Sequence, residues 1–217
     1  MMRGAIFDVD GTMFDTERLY RDAWMALPPE YGFTANPEYP AAVRGSSGER
    51  AYAVAQAYYP GIDADAFFNA CRARVYGSLA REVPLKPRLR EILAYFKEQG
   101  FLLGIASAGR LSKIRHCLSA TGLENYFKVI VSGADVTESK PAPEIFQLAA
   151  ERLGLSPKEC YVIEDCRNGV FGAAAAGCAT IMVPDTGEEP VEEIRRLCIG
   201  VYPDLFAVRK ALEAGEI

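Results

Sequence analysis

Histidine is almost missing from this chain: there is one, His116, in 217 residues. That excludes a multi-histidine metal site and makes any Ser-His-Asp or Cys-His mechanism depend on a single side chain. An excess of positive charge is missing too. Lys plus Arg number 24 against 29 Asp plus Glu, a net charge of −5, so nothing marks the chain for a nucleic-acid backbone or an anionic membrane. No apolar run approaches the roughly 20 residues needed to span a bilayer, and no internal period marks a repeat array. The cysteines, Cys71, Cys117, Cys160, Cys166, Cys178 and Cys198, form no C-x-x-C pair and follow no apolar leader segment. Free thiols in a cytoplasmic protein are therefore expected. Chemistry here has to run mainly on carboxylates, hydroxyls and lysine.

What is present is the composition of an ordinary globular chain, 50% hydrophobic and 24% charged. At roughly 150 residues per domain, the length allows one large domain or one domain with a smaller insertion. Ala5-Ile6-Phe7 is a short apolar run ending at Asp8, and Asp10-Gly11-Thr12 follows at once, which reads as a buried strand entering a tight loop. Similar runs at 101–106, 129–132, 161–163 and 180–183 are continuous rather than alternating, as in parallel strands covered on both faces. Helical patterns lie between them. Leu89, Ile92, Leu93 and Phe96 fall on one stripe, with Pro87 near its start and Gly100 past its end. Ile145, Leu148, Ala149 and Arg152 form another, stopped by Gly154, and Ser156-Pro157-Lys158-Glu159 reads as a capping box leading into the strand at Tyr161.

Residues 15–81 break that rhythm with helical stripes and no strand: Tyr20, Ala23, Trp24 and Leu27, ended by Pro28-Pro29; Ala51, Val54, Ala55 and Tyr58; Phe67, Ala70, Cys71 and Val75. The fold expected is α/β, a doubly wound, Rossmann-like parallel sheet built from 1–14 and 82–217, with an α-helical cap subdomain inserted at 15–81. An insertion at the carboxyl end of a strand reads as a lid that moves on its two connections.

Polar groups stand where the strands end: Asp8 and Asp10, Ser107, Lys140, and Glu164-Asp165. Singly, each is explained by a solvated turn. In a parallel sheet, however, those ends meet on one edge, where four carboxylates repel one another unless a hard cation such as Mg²⁺ and a phosphate balance the charge. An EF-hand starting at Asp8 is disfavoured because its sixth position is Met13 rather than glycine. His116 falls inside a helical pattern and reads as solvated, as do Glu188-Glu189 and Glu192-Glu193 at an exposed loop and helix start.

Asp8-Val9-Asp10-Gly11-Thr12 resembles the first motif of the haloacid dehalogenase superfamily. Ser107 in Ile105-Ala106-Ser107-Ala108-Gly109 resembles the second, Lys140 in Ser139-Lys140-Pro141-Ala142-Pro143 the third and Glu164-Asp165 the fourth, all in order. The inserted helices are similar to that family's cap, and the third and fourth motifs resemble the branch holding β-phosphoglucomutase and phosphoglycolate phosphatase. The resemblance implies that Asp8 attacks phosphorus to give an aspartyl-phosphate and that Asp10 serves as general acid and then base. It further implies that Ser107, Lys140 and the backbone N–H groups of residues 9–12 and of Ala108 hold the phosphoryl oxygens. The implied metal set is Asp8, the Asp10 carbonyl, Asp165, and Glu164 as ligand or support, around Mg²⁺. An aspartate at position 10 points to phosphate esters, since dehalogenases of this kind carry an aromatic residue there and phosphonatases a small one.

In the cap, Arg44-Gly45-Ser46-Ser47-Gly48 suits a loop closing over a polar ligand, so Arg44, Arg50 and Arg110 are candidates for binding the non-reacting part of a substrate. The mutases of the branch place a histidine where this chain has Tyr20 and an arginine where it has Gly48. The function expected is therefore a Mg²⁺-dependent phosphatase of small phosphorylated metabolites, first of all sugar phosphates, acting as a monomer or small homo-oligomer. The alternatives are a β-phosphoglucomutase-like phosphomutase and a non-catalytic binding domain of the same fold. The intact set Asp8, Asp10, Ser107, Lys140 and Asp165 speaks against the binding domain, which has no need of a nucleophile and its acid.

Overall fold

A computed structural model describes residues 1–44, 46, 48–185 and 190–217. Gly45, Ser47 and the acidic pair Glu188-Glu189 therefore lie outside the described residues. In chain order the elements are β1 (Gly4–Phe7), α1 (Thr16–Ala26), α2 (Tyr39–Val43), α3 (Gly48–Tyr58), α4 (Ala64–Leu79), α5 (Leu89–Glu98), β2 (Leu102–Ser107), α6 (Leu111–Thr121), β3 (Val129–Ser132), α7 (Glu144–Leu153), β4 (Cys160–Glu164), α8 (Arg167–Ala176), β5 (Ala179–Met182), α9 (Glu192–Leu197), β6 (Gly200–Val201) and α10 (Leu205–Ala214). They fall into two compact units, Met1–Phe14 with Leu85–Ile217, and Asp15–Pro84.

In the first unit the strands make one parallel sheet in the order β3-β2-β1-β4-β5-β6. The chain moves outward from β1 through β2 to β3 and then returns to the other side of β1, so the winding reverses between β1 and β4. Open α/β sheets bind ligands beyond the carboxyl ends of the strands at such a reversal. Alternation along the strands explains why both faces are covered. Ile6, Ala106, Val131 and Val162 point to the face packed by Ile145, Phe146, Ala149 and Leu153 of α7 and Ala173 of α8. Phe7 and Tyr161 point the other way, onto Phe96 of α5, with ring centroids at 5.9 and 6.3 Å. Glycine at 104 lets α7 come close, since a Cβ there would lie 2.9 Å from Val129 Cγ2 and 3.2 Å from Leu153 Cδ1.

The expected strands at 101–106, 161–163 and 180–183 appear shifted by a residue or less, and 129–132 falls as expected. Gly154 ends α7 in the left-handed conformation, and Ser156 and Glu159 form the expected capping box. Three elements, α2, β6 and α10, are additions to the sequence reading. β6 has two residues, too few to show a pattern, and α2 has five, opened by Tyr39-Pro40. The second unit packs α1 to α4 around Tyr39, whose ring lies 5.0 Å from that of Tyr59 and 6.0 Å from that of Phe67. The cysteines are free thiols, and no helix among the described residues is long and apolar enough to cross a membrane.

Phe96 is fully buried where α5 meets β1, β4 and Phe101, whose ring centroid is 5.1 Å away. Truncation to alanine leaves a cavity under the sheet and is expected to cost about 3–5 kcal/mol. Urea unfolding of Phe96→Ala against wild type measures it.

Candidate active site

The carboxyl ends of β1, β2 and β4 lie side by side, because Phe7 pairs with Ile105 on one side and with Ile163 on the other. Asp8 follows β1, Ser107 ends β2, and Glu164 ends β4 with Asp165 next. Lys140 comes from the loop between β3 and α7 and joins these ends. Its ammonium donates to Asp8 Oδ1 at 2.6 Å, to Glu164 Oε1 at 2.6 Å and to the Ala106 carbonyl at 3.0 Å. An ammonium has three protons, so each is matched to one of the three adjacent strands. The Phe146 ring stands beneath it, with the centroid 5.0 Å from Nζ.

Glu164 is fully buried. Its Oε1 takes Lys140, while Oε2 accepts the backbone N–H groups of Asp165 at 3.0 Å and Cys166 at 3.4 Å. It fits only because position 169 on α8 has no side chain: a Cβ there would lie 1.9 Å from the Glu164 carboxyl carbon. Both Glu164 oxygens are thus engaged within the protein, as expected for a residue that supports neighbouring groups. Asp165 is buried beside it, and one ligand atom each from Glu164, Asp165 and Cys166 lies within 4.8 Å of the others.

Asp10 and Ser107 approach the backbone closely at Gly109. A Cβ on Gly109 would lie 3.2 Å from Ser107 Oγ and 3.5 Å from Asp10 Oδ2. The Ser107 hydroxyl accepts the Gly109 N–H at 3.1 Å, which leaves its own proton to donate elsewhere. Ala108 is exposed just past β2, and Arg110 is exposed at the N-cap of α6.

The sequence reading missed Lys113. Its side chain is 2% exposed and its ammonium pairs with Asp10 Oδ1. A signal was available: Lys113, Ile114, Cys117 and Leu118 form the buried stripe of α6, so the lysine occupies an apolar position of the helical period. His116, by contrast, is exposed on that helix.

Arg44 and Arg50 belong to the helical unit. Arg44 follows α2 with its Nε 3.5 Å from Glu17 Oε2, and Arg50 is exposed on α3. Gly48 opens α3 at a φ of 55°, a backbone conformation that favours glycine.

Among the described residues, Lys140 pairs with Asp8 and Glu164, Lys113 pairs with Asp10, and Asp165 lies buried beside Glu164. Burial pushes the Asp8 carboxyl up to about 8, and Glu164 and Asp10 add to this, against the pull of Lys140. Burial would lower Lys140, but Asp8 and Glu164 outweigh it and hold the ammonium charged. The carboxylate oxygens gathered here are donors of the kind a hard divalent cation takes.

Residues 5–183 match the sequence profile of the haloacid dehalogenase-like hydrolases. The chain belongs to this family and is an enzyme of it. Among its relatives, the Escherichia coli fructose-1-phosphate phosphatase YqaB is 31% identical over 181 residues, covering 83% of this chain and 95% of that protein. E. coli hexitol phosphatase B is 31% identical over 187 residues, covering 83% of this chain and 82% of its own. Among solved structures, CbbY from Rhodobacter sphaeroides in complex with phosphate superposes with a TM-score of 0.78 at 25% identity, covering 94% of this chain and 95% of that one.

The raised Asp8 carboxyl predicts a coupling between metal and pH. In metal-free protein the folded state holds a proton that the unfolded state lacks, so Asp8's stabilising contribution is full below 3.8 and is lost as the pH rises through about 8. A divalent cation held by Asp8 would take the ionised form, so a rise in melting temperature caused by Mg²⁺ is expected to grow with pH across that window and to flatten in Asp8→Asn. Thermal melts with and without Mg²⁺ read both.

Proposed function

We propose that this chain is a Mg²⁺-dependent phosphomonoesterase of small sugar phosphates that works through an aspartyl-phosphate on Asp8. The observation that carries the reading is the Lys140 bridge, which seats a buried carboxylate at the end of the central strand with a fixed ammonium against one oxygen. Asp8 attacks phosphorus with its other oxygen, and Lys140 offsets the charge gathering there. The Ser107 hydroxyl and the Ala108 N–H hold phosphoryl oxygens. Asp10 protonates the departing ester oxygen and then takes a proton from the attacking water.

Asp8, the Asp10 carbonyl and Asp165 are the residues that would hold Mg²⁺, with Glu164 supporting them through its contacts to Lys140 and to the N–H of Asp165. When bound, the metal supplies charge stabilisation to the transferring phosphoryl group. Selectivity for the sugar part is assigned to Arg110 and to Arg50 on α3, while Arg44 serves the helical unit through Glu17. The sugar-phosphate class is supported by the likeness to the fructose-1-phosphate phosphatase and the hexitol phosphatase described above. A mutase has to hold a second phosphate, and Gly48 brings no charge for one, so hydrolysis is the reading adopted.

The test is phosphate release from fructose 1-phosphate, sorbitol 6-phosphate, glucose 1-phosphate and phosphoglycolate, with and without Mg²⁺, with isomeric products followed in the same samples. Mg²⁺-dependent release is expected on the sugar phosphates, falling at least about 10³-fold in Asp8→Asn. Isomerised sugar phosphate with little free phosphate would replace the hydrolase by a mutase.

A further inference from the structure

The loop that ends in Lys140 begins with a tight turn over Gly133–Asp135, directly after β3. Asp135 closes that turn. Its Oδ2 accepts the Ser132 N–H at 2.9 Å and the Ser132 hydroxyl at 2.6 Å, while its Oδ1 accepts from Arg152 of α7 at 2.9 Å. Arg152 also donates to the Ile130 carbonyl within β3, at 3.4 Å. The Ser132 hydrogen bonds, and after them Arg152, hold the Asp135 carboxyl down to about 2, so the clasp stays ionised at neutral pH.

The clasped turn sets Gly133 against the end of β2. A Cβ at position 133 would lie 2.6 Å from the Ala108 carbonyl oxygen, 3.2 Å from its carbon and 3.4 Å from the Ala108 Cα, and the Gly133 N–H reaches the Gly109 carbonyl at 3.4 Å. All of these are backbone atoms, which cannot swing aside as a long side chain does. The φ at 133 is not positive, so the turn itself does not require glycine. The close approach does.

That contact bears on the site through a single peptide unit. The Ala108 carbonyl and the Gly109 N–H are two ends of one plane, and the N–H donates to Ser107 Oγ at 3.1 Å. Backing the carbonyl with Gly133 therefore fixes the N–H on the hydroxyl oxygen. A hydroxyl with a lone pair held in this way keeps its own proton for the remaining directions. We propose that Gly133 and Asp135 are positioning residues for the phosphoryl-oxygen site: the turn after β3 backs the 108–109 peptide, and that peptide aims the Ser107 proton at the phosphoryl group. The inference rests on the phosphatase reading and deepens it.

A double-mutant cycle tests it. Gly133→Ala, Asp135→Asn and Ser107→Ala are measured singly, and the first two also in the Ser107→Ala background, on the fastest sugar phosphate of the panel above with Mg²⁺. Assays run at a temperature where circular dichroism shows every variant folded, and inorganic phosphate competes so that its inhibition constant reports the phosphoryl site directly. Ser107→Ala is expected to lower kcat/KM and raise the phosphate constant about 10- to 10²-fold, the loss of a hydrogen bond to a charged group. Gly133→Ala is expected to cost about tenfold in both and Asp135→Asn about threefold, through misplacement rather than lost contact. In the Ser107→Ala background each adds less than about 1.5-fold, a coupling that general loosening of the fold would not produce. Where Gly133→Ala fails to fold, Asp135→Asn and its coupling to Ser107 decide.

Wild-type values for the variants, or losses that multiply in full with Ser107→Ala, overturn the inference alone. Wild-type protein that turns over none of the sugar phosphates overturns the phosphatase reading and this inference with it.

Discussion

The Lys140 ammonium is the point on which the site depends. Its three donors reach Asp8 after β1, the Ala106 carbonyl in β2 and Glu164 at the end of β4. One side chain from a loop thereby cross-links the central strand to both its neighbours at the edge where the winding of the sheet reverses. Replacing it would leave two buried carboxylates facing each other without compensation, the most destabilising way to break a buried ionic group. Position and charge are set by the same contact, so the geometry of the site is inseparable from its electrostatics.

Around that bridge the fold uses absences as much as side chains. Gly169 makes room for the Glu164 carboxylate against α8, and Gly109 lets Ser107 and Asp10 approach its backbone closely. Lys140 and Lys113 stand against the carboxylates Asp8, Glu164 and Asp10, with Asp165 buried beside them. A hard cation and a phosphate dianion would divide such a site between them, the cation against carboxylates and the phosphate against the lysine. Asp8 is lifted by burial toward neutrality in the protein alone, and under the proposed mechanism a partner positive charge would return it to the ionised form that can attack phosphorus.

Much of this arrangement was legible in the sequence because parallel strands buried on both faces read as unbroken apolar runs. The polar residue that ends each run then marks the edge where ligands bind. Asp8, Ser107 and Glu164-Asp165 were found in this way. Lys140 is placed by the same reasoning only as a residue of the loop after the third run, since nothing in Ser139-Lys140-Pro141 says where a loop lysine reaches. Other features depend on tertiary contact and have little local trace. β6 borrows its pairing from β5 over two residues, and Tyr39 is central to the helical unit although it opens a helix of only five. Lys113 was passed over because a lysine near a helix start is usually solvated, even though its place in the Ile114, Cys117 and Leu118 stripe put it inside.

The central claim is a covalent phosphoryl group on Asp8, and chemical trapping tests it most directly. Borohydride added during turnover of a sugar phosphate in the presence of Mg²⁺ reduces an acyl phosphate to the alcohol, converting that aspartate to homoserine. Peptide mass spectrometry is expected to find homoserine at position 8, only when substrate and Mg²⁺ are both present. Unmodified Asp8 in a sample that is releasing phosphate, or homoserine at another carboxylate, would contradict the account.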